Sequence, residues 1–245
     1  MAFEPHRWPT SVSMIESPFT QADLETTRTA ADLLPWVMGA LDLFRQAPLR
    51  KEAREGKHFA GELVDEMLPI ALFAHRYFQA SSLVNVRYVV GNQKHDAVVD
   101  DRRASPGPVR FIETTVADYD YEDAKRMELL NRDGNAPAFG GVTAKGPRHN
   151  RTELRAELVA VDHDVLVAEH IGRADQAVRK KVAKQYPDGT ALVVRVSDSV
   201  PFRESDDVEA LEDFAARYLV PLLKGREFCV LAFVGSAGLY LPFVL

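Results

Sequence analysis

Apolar residues recur at three- and four-residue steps in two early stretches of the chain, which predicts helices. After a start signal at Thr20, Asp23 and Glu25, one face collects Leu33, Leu34, Val37, Leu41 and Leu43, with Pro35 bending or restarting the helix. A second helical region covers about 51–79, where Phe59, Leu63, Met67, Ile70, Ala71, Ala74 and Tyr77 keep the same steps and Pro69 marks a kink. The period then drops to two. Val84–Val90 ends at the turn dipeptide Gly91-Asn92, His95–Val99 follows at hairpin distance, and Val109–Thr115 comes after a Pro- and Gly-containing loop. Three strands this close predict an antiparallel meander.

Further on, Tyr121–Asp133 reads as a polar amphipathic helix closed by Gly134, and Gly141–Ala144 as one short strand within a loop. A long helix, or two in succession, is expected over about 152–186, stopping at Pro187-Asp188-Gly189. Ala191–Val196 has the unbroken apolar run of a central strand. Glu209–Leu223 reads as a helix, and Phe228–Val234 with Leu239–Val244 as a closing hairpin. The expected architecture is α/β, with a central mixed sheet flanked by helices rather than the strict alternation of a Rossmann domain. Residues 1–80 form an arm and helical cover, and 81–245 the α/β core, within one compact unit.

At 245 residues and 46% hydrophobic content, the chain is long enough for a sizeable core. The single cysteine, Cys229, excludes an internal disulfide, and its apolar surroundings make it a small buried hydrophobe rather than a nucleophile. No Cys pair starts a structural zinc site. The opening residues lack a basic region followed by an apolar stretch, and no apolar run approaches the roughly 18–20 residues of a membrane span. The expectation is a cytoplasmic protein with no membrane partner. A net charge of −6 argues against broad non-specific nucleic-acid affinity but leaves room for a local basic groove.

The strongest chemical signal lies among the three strands. Strand alternation puts Phe111, Glu113 and Thr115 on one face, and Asp96 shares a face with Val98 on the preceding strand. An unpaired buried carboxylate costs several kcal/mol, so two converging on one sheet call for a cation or a proton. Two hard oxygen donors suit Mg²⁺ or Mn²⁺. A rival reading has Arg87 and Arg110 neutralise the acids, leaving no site.

An acid at the end of one strand, an acidic-x-polar triplet on the next and a following helix on the sheet resemble the PD-(D/E)XK, or restriction-endonuclease-like, nuclease superfamily. That family's helix, three strands, helix, strand order is similar to this chain from about residue 50 to 196. The resemblance implies a Mg²⁺- or Mn²⁺-dependent hydrolase of phosphodiester bonds, acting on nucleic acid and most naturally DNA. Asp96 would match the first acid and Glu113 the second. The family's lysine falls at Thr115, and Lys94-His95 stands where the family has a proline before the first acid.

Some members are similar in supplying the missing lysine from the next helix. At about 100° per residue, Ile171, Ala174, Val178 and Val182 form the sheet-facing stripe; Gln185 falls within it and Lys181 on its border. Lys180 and Lys184 point nearly the opposite way. Lys181 and Gln185 are therefore the helix residues placed to reach the acids, with a snorkelling lysine as the rival reading. Arg179, Lys180 and Lys184, with Arg148 in a nearby loop, are weaker candidates for nucleic-acid contact.

Glu62 and Glu66 read as exposed-face charge, with a metal ligand from the covering helix as the rival. His95 is expected to point away from Asp96, Tyr186 to close its helix onto the core, and Asp206-Asp207 to cap a helix. No phosphate loop, GxSxG elbow or HExxH motif is present, and nothing points to an organic cofactor. Two functions follow: a metal-dependent nuclease, or a non-cleaving nuclease-fold protein serving as a nucleic-acid-binding or assembly module. The N-terminal arm also offers a surface for a homo-oligomer.

Overall fold

The computed structural model describes residues 17–91, 93–117, 122–137, 142–145, 153–156, 160–197, 201–202 and 204–245. Seven strands form one mixed sheet: β1 (Arg28–Thr29), β2 (Val84–Tyr88), β3 (Ala97–Asp101), β4 (Phe111–Val116), β7 (Thr190–Arg195), β8 (Phe228–Val234) and β9 (Tyr240–Val244) lie side by side in that order. The meander is real: β2–β3 and β3–β4 pair antiparallel. The central pairs β4–β7 and β7–β8 are parallel, and β9 returns antiparallel to β8. A central parallel strand is buried on both faces, which is why β7 reads as an unbroken apolar run.

The two faces have separate cores. On one, Val86, Ala97, Val99, Ile112, Ala191, Val193 and Ala232 meet the N-terminal cover, including Val37, Ile70 and Phe73. That cover comprises α1 (Gln21–Glu25), α2 (Leu33–Phe44), α3 (Leu49–Arg54), α4 (Ala60–Glu62) and α5 (Leu68–Tyr77). On the other, Leu192, Val194, Leu231 and Phe233 meet α7 (His163–Val182) and α8 (Ser205–Phe214) through Ala174, Val178 and Leu211. Strand β1, absent from the sequence reading, pairs with β2 and stitches the cover to the sheet.

Two helical stretches differ from expectation for one shared reason. A π-helical turn, Leu63–Met67, joins α4 to α5 ahead of Pro69; a second, Ala215–Leu219, joins α8 to α9 (Val220–Leu223) ahead of Pro221. Proline lacks the N–H for the carbonyl four residues back and its ring crowds that carbonyl. For Pro69 and Pro221 these carbonyls belong to Asp65 and Arg217, both inside the wide turns, which give the ring room without ending the helix. Further upstream, the region from 51 is broken between α3 and α4, where Gly56, His58 and Phe59 take left-handed backbone angles.

The long helix expected over 152–186 is shorter. Glu153–Ala156 is instead strand β6, paired antiparallel with β5 (Val142–Lys145), because Glu-Leu-Arg-Ala alternates and buries Leu154. Together with α6 (Glu122–Asp133), this hairpin closes a small core of Leu129, Val142 and Leu154. α7 starts only where the Asp162 side chain accepts the Asp164 N–H. At α8 the expected cap is absent: Asp206 and Asp207 lie in the first turn, and Asp207 pairs with His163 at 2.9 Å.

Candidate carboxylate–lysine site

Asp96 sits one residue before β3. Its backbone remains in the ladder, donating its N–H to the Ile112 carbonyl and accepting from the Val89 N–H. Because Ala97 pairs with Ile112 and Val98 with Phe111, the antiparallel register continued one step brings Asp96 alongside Glu113. The Asp96 Oδ2 accepts from the Thr114 N–H at 2.6 Å and from the Thr114 hydroxyl at 2.7 Å. Charge-assisted bonds this short fix the carboxylate's orientation.

Glu113 lies on the α7 side of the sheet, in register with the buried Leu192, and is itself only 6% exposed. Its compensation comes from the far side of the chain. Lys181 Nζ donates to Glu113 Oε1 at 2.5 Å, and the Tyr186 hydroxyl donates to the same oxygen at 3.2 Å. Burial, and then the neighbouring Asp96 charge, push the Glu113 pKa up against the pull of Lys181 and Tyr186. Burial and the Glu113 charge hold Tyr186 protonated well above its ordinary range.

Lys181 reaches the sheet because α7 is regular there. Ala177, Val178 and Val182 are buried, and Lys181 follows Ala177 and Val178 by four and three residues. The expectation for Gln185 fails. α7 ends at Val182, so Gln185 lies beyond the helix and is exposed, while the next residue, Tyr186, turns inward and takes the contact with Glu113. Thr115 lies half-buried two residues past Glu113, in register with Val194.

A third carboxylate joins from the cover. The first π turn packs on β4 and carries Glu66, whose carboxylate accepts a short hydrogen bond from the Tyr88 hydroxyl. Burial raises the Glu66 pKa to about 7; Asp96, Glu62 and Asp65 add repulsion, and the Tyr88 bond opposes them. Asp96 is thus the common neighbour whose charge is felt by both Glu113 and Glu66. Beside it, Asp65 pairs with Arg195 at 2.8 Å, tying the turn to the end of β7. The acidic pair 62/66 was visible in the sequence, but not that Glu66 turns inward.

The arginines considered as neutralising partners do not clamp the two acids. Arg110 donates to the Gly107 carbonyl at 2.8 Å, while Asp96 and Glu113 are held by Thr114, Lys181 and Tyr186. His95 packs its ring on Phe111 with centroids 4.7 Å apart, and burial lowers its pKa. The half-buried Cys229 thiol is pushed up to about 11 by burial, which keeps it protonated. On the outer face of α7, Arg179 is held by Asp175 at 2.8 Å and Lys180 is exposed, as is Lys184 just beyond the helix end. Arg148 lies outside the described residues.

Asp96 Oδ1 and Glu113 Oε2 accept no hydrogen bond among the described residues, so each carboxylate keeps one oxygen for a ligand. Carboxylate oxygens are the donor type of a Mg²⁺-type ion, which takes one or two protein carboxylates and completes its shell with water and phosphate. Among the described residues, no three His, Cys, Asp or Glu side chains are grouped to hold a metal ion. No described helix is long and apolar enough to cross a membrane. No protein-family model, curated protein or solved structure matches the chain.

Proposed function

We propose that this protein is a metal-dependent nuclease that hydrolyses phosphodiester bonds, with DNA as its substrate. The observation that carries the reading is the Lys181–Glu113 contact beside Asp96. An acid just ahead of β3, an acid on β4 and a lysine from α7, which comes after α6 and the β5–β6 hairpin, share one small region, although Thr115 occupies the strand position where the PD-(D/E)XK pattern has its lysine. The strand order β2-β3-β4-β7, with β7 parallel to β4, supports the same resemblance.

In this reading Asp96 and Glu113 would hold a Mg²⁺ or Mn²⁺ ion, which would polarise a phosphodiester oxygen and favour departure of the leaving oxygen. Thr114 fixes the Asp96 carboxylate through its backbone N–H and its hydroxyl. Lys181 places a positive charge where negative charge develops on the phosphate, exchanging its hold on Glu113 for one on substrate oxygen. Tyr186 keeps Glu113 aimed while Lys181 does so.

The second reading is a nuclease-fold module that binds nucleic acid without cleaving it. Thr115 at the lysine position favours it, as does the direct ion pair that already engages Lys181. Incubation with circular single- and double-stranded DNA in Mg²⁺ or Mn²⁺ separates the two. The nuclease reading predicts cleavage by the wild type and a loss of at least about 100-fold in both Glu113→Gln and Lys181→Met. Cleavage that survives both substitutions removes the assigned roles; binding without cleavage selects the second reading.

A further inference from the structure

A concavity of about 250 Å³ lies where α3 meets α6, lined by Ala47, Pro48, Arg50, Lys51, Arg54 and Asn131. Three of its six lining residues are cations, and none is acidic. Arg50 Nε donates to the Arg45 carbonyl and Arg54 Nη1 to the Asn131 amide oxygen, while the Asn131 amide nitrogen holds the Lys51 carbonyl. These bonds orient the guanidinium groups without neutralising them. Among the described residues, Arg50, Lys51 and Arg54 have no carboxylate partner.

Several other arginines pair with neighbouring acids, Arg45 with Asp42, Arg102 with Asp100, Arg132 with Asp133 and Arg179 with Asp175. Arg76, Arg87, Arg110, Arg217 and Arg226 are exposed without a carboxylate partner among the described residues but do not line this hollow. Of the acids on or next to α3, Glu52 pairs with His58 and Glu55 with Lys57, and Glu55 also accepts from the Asn131 amide nitrogen at 3.5 Å. A protein of net charge −6 thus lines one hollow with three positive charges, none of them ion-paired to a carboxylate among the described residues. Guanidinium forks match phosphate oxygens, and a lysine ammonium adds a point charge. Arg50 and Arg54 stand one helical turn apart, so both address the same side of α3. From there the chain runs through α4 directly into the π turn that carries Glu66.

We propose that the Arg50–Lys51–Arg54 concavity is a phosphate-backbone subsite for the nucleic-acid strand engaged at Asp96 and Glu113, an inference that rests on the nuclease reading above. It binds the strand's phosphates without reading its bases, and its contribution is salt-dependent.

The test uses the full chain and fluorescein-labelled single- and double-stranded oligonucleotides in buffer containing a chelator, so binding is read without cleavage. Anisotropy titrations across a salt series compare wild type, Arg50→Ala/Arg54→Ala, Arg50→Lys/Arg54→Lys and the control Lys180→Ala/Lys184→Ala. The expected result for the alanine pair is an affinity loss of about tenfold. Its slope of log affinity against log salt becomes shallower by about 1.4–1.8, the contribution of two phosphates. The lysine pair recovers most of both, and the control pair changes less than the alanine pair. An unchanged slope in the alanine pair, or a loss that lysine does not recover, overturns the subsite. Cleavage of circular DNA in Mg²⁺, measured alongside, keeps the two ideas apart. Wild-type cleavage with an unaltered alanine pair sinks only the subsite. A salt-dependent loss in a protein that never cleaves upholds phosphate binding and sinks only the nuclease reading. A wild type that binds no oligonucleotide sinks both.

Discussion

Lys181 and Glu113 are each the other's compensation. Their ion pair sits at the edge of a buried face, with Lys181 18% and Glu113 7% exposed at the side chain. Lys181→Met leaves a buried carboxylate without its cation, which costs about 3 kcal/mol when the acid is ionised. Burial already raises the Glu113 pKa, so the variant sheds its penalty by protonation as pH falls. Urea denaturation should therefore find a larger deficit at pH 8 than at pH 5. Glu66 gives a separate pH signature. Folded Glu66 keeps its proton up to about pH 7, against an ordinary value of 4.5. Between those values the folded chain binds more protons than the unfolded one, so this group's contribution to stability falls as pH rises. Partial solvent access reduces the effect to on the order of 1 kcal/mol. Melting temperatures of wild type and Glu66→Gln should diverge in favour of the variant from pH 5 to pH 8, and parallel curves would remove Glu66 from its buried setting. Tyr186→Phe removes one of the donors to Glu113 Oε1, raises that acid's pKa further and costs about 1 kcal/mol. In the nuclease reading it shifts the acidic limb of the pH–rate profile upward.

Regular elements made some of these residues legible in advance, and irregular ones hid the rest. Lys181 lies in a 20-residue helix with no interruption, so a simple helical wheel places it correctly. The Glu113 side followed from strand alternation, and the Asp96 neighbourhood from the spacing of a tight meander. Glu66 rides in a turn wider than a helical wheel assumes, so its inward direction could not be computed from 3.6-residue periodicity. Tyr186 was masked differently. It follows the helix end, and its direction is set by the descent through Pro187 to Gly189 rather than by any period. Strand β6 is four residues long in a composition that suits helix equally, and only pairing with β5 decides it. Gly189 has an element-level role of its own. Its φ of +81° favours glycine, and a Cβ there would come within 2.8 Å of the Pro108 carbonyl oxygen. Its own carbonyl accepts from the Arg110 N–H, so it anchors the entry to both β4 and β7. Gly189→Ala should lower stability by about 2–3 kcal/mol in denaturant titrations. A neutral result would contradict the tight approach of these two loops.

At the scale of the molecule, the sheet order is where local reading stops. Antiparallel β2, β3 and β4 are neighbours in chain and space, whereas β4 and β7 pair in parallel across α6, β5, β6 and α7. The acids and the lysine therefore join from different parts of the chain. A divalent-ion titration by calorimetry addresses the joined assembly as a whole: binding to wild type that is abolished in Asp96→Asn fits two carboxylates sharing one ion, and binding indifferent to that change does not. The long crossover also has a kinetic consequence. Glu113 meets Lys181 across 68 residues, and Asp65 meets Arg195 across 130. Closing loops of that length slows folding, whereas the meander needs only short-range contacts. The meander acids Asp96 and Glu113 are therefore expected to come together before α7 docks. During that interval repulsion between Asp96 and Glu113 is screened only by dissolved cations, and refolding should accelerate as the salt concentration is raised.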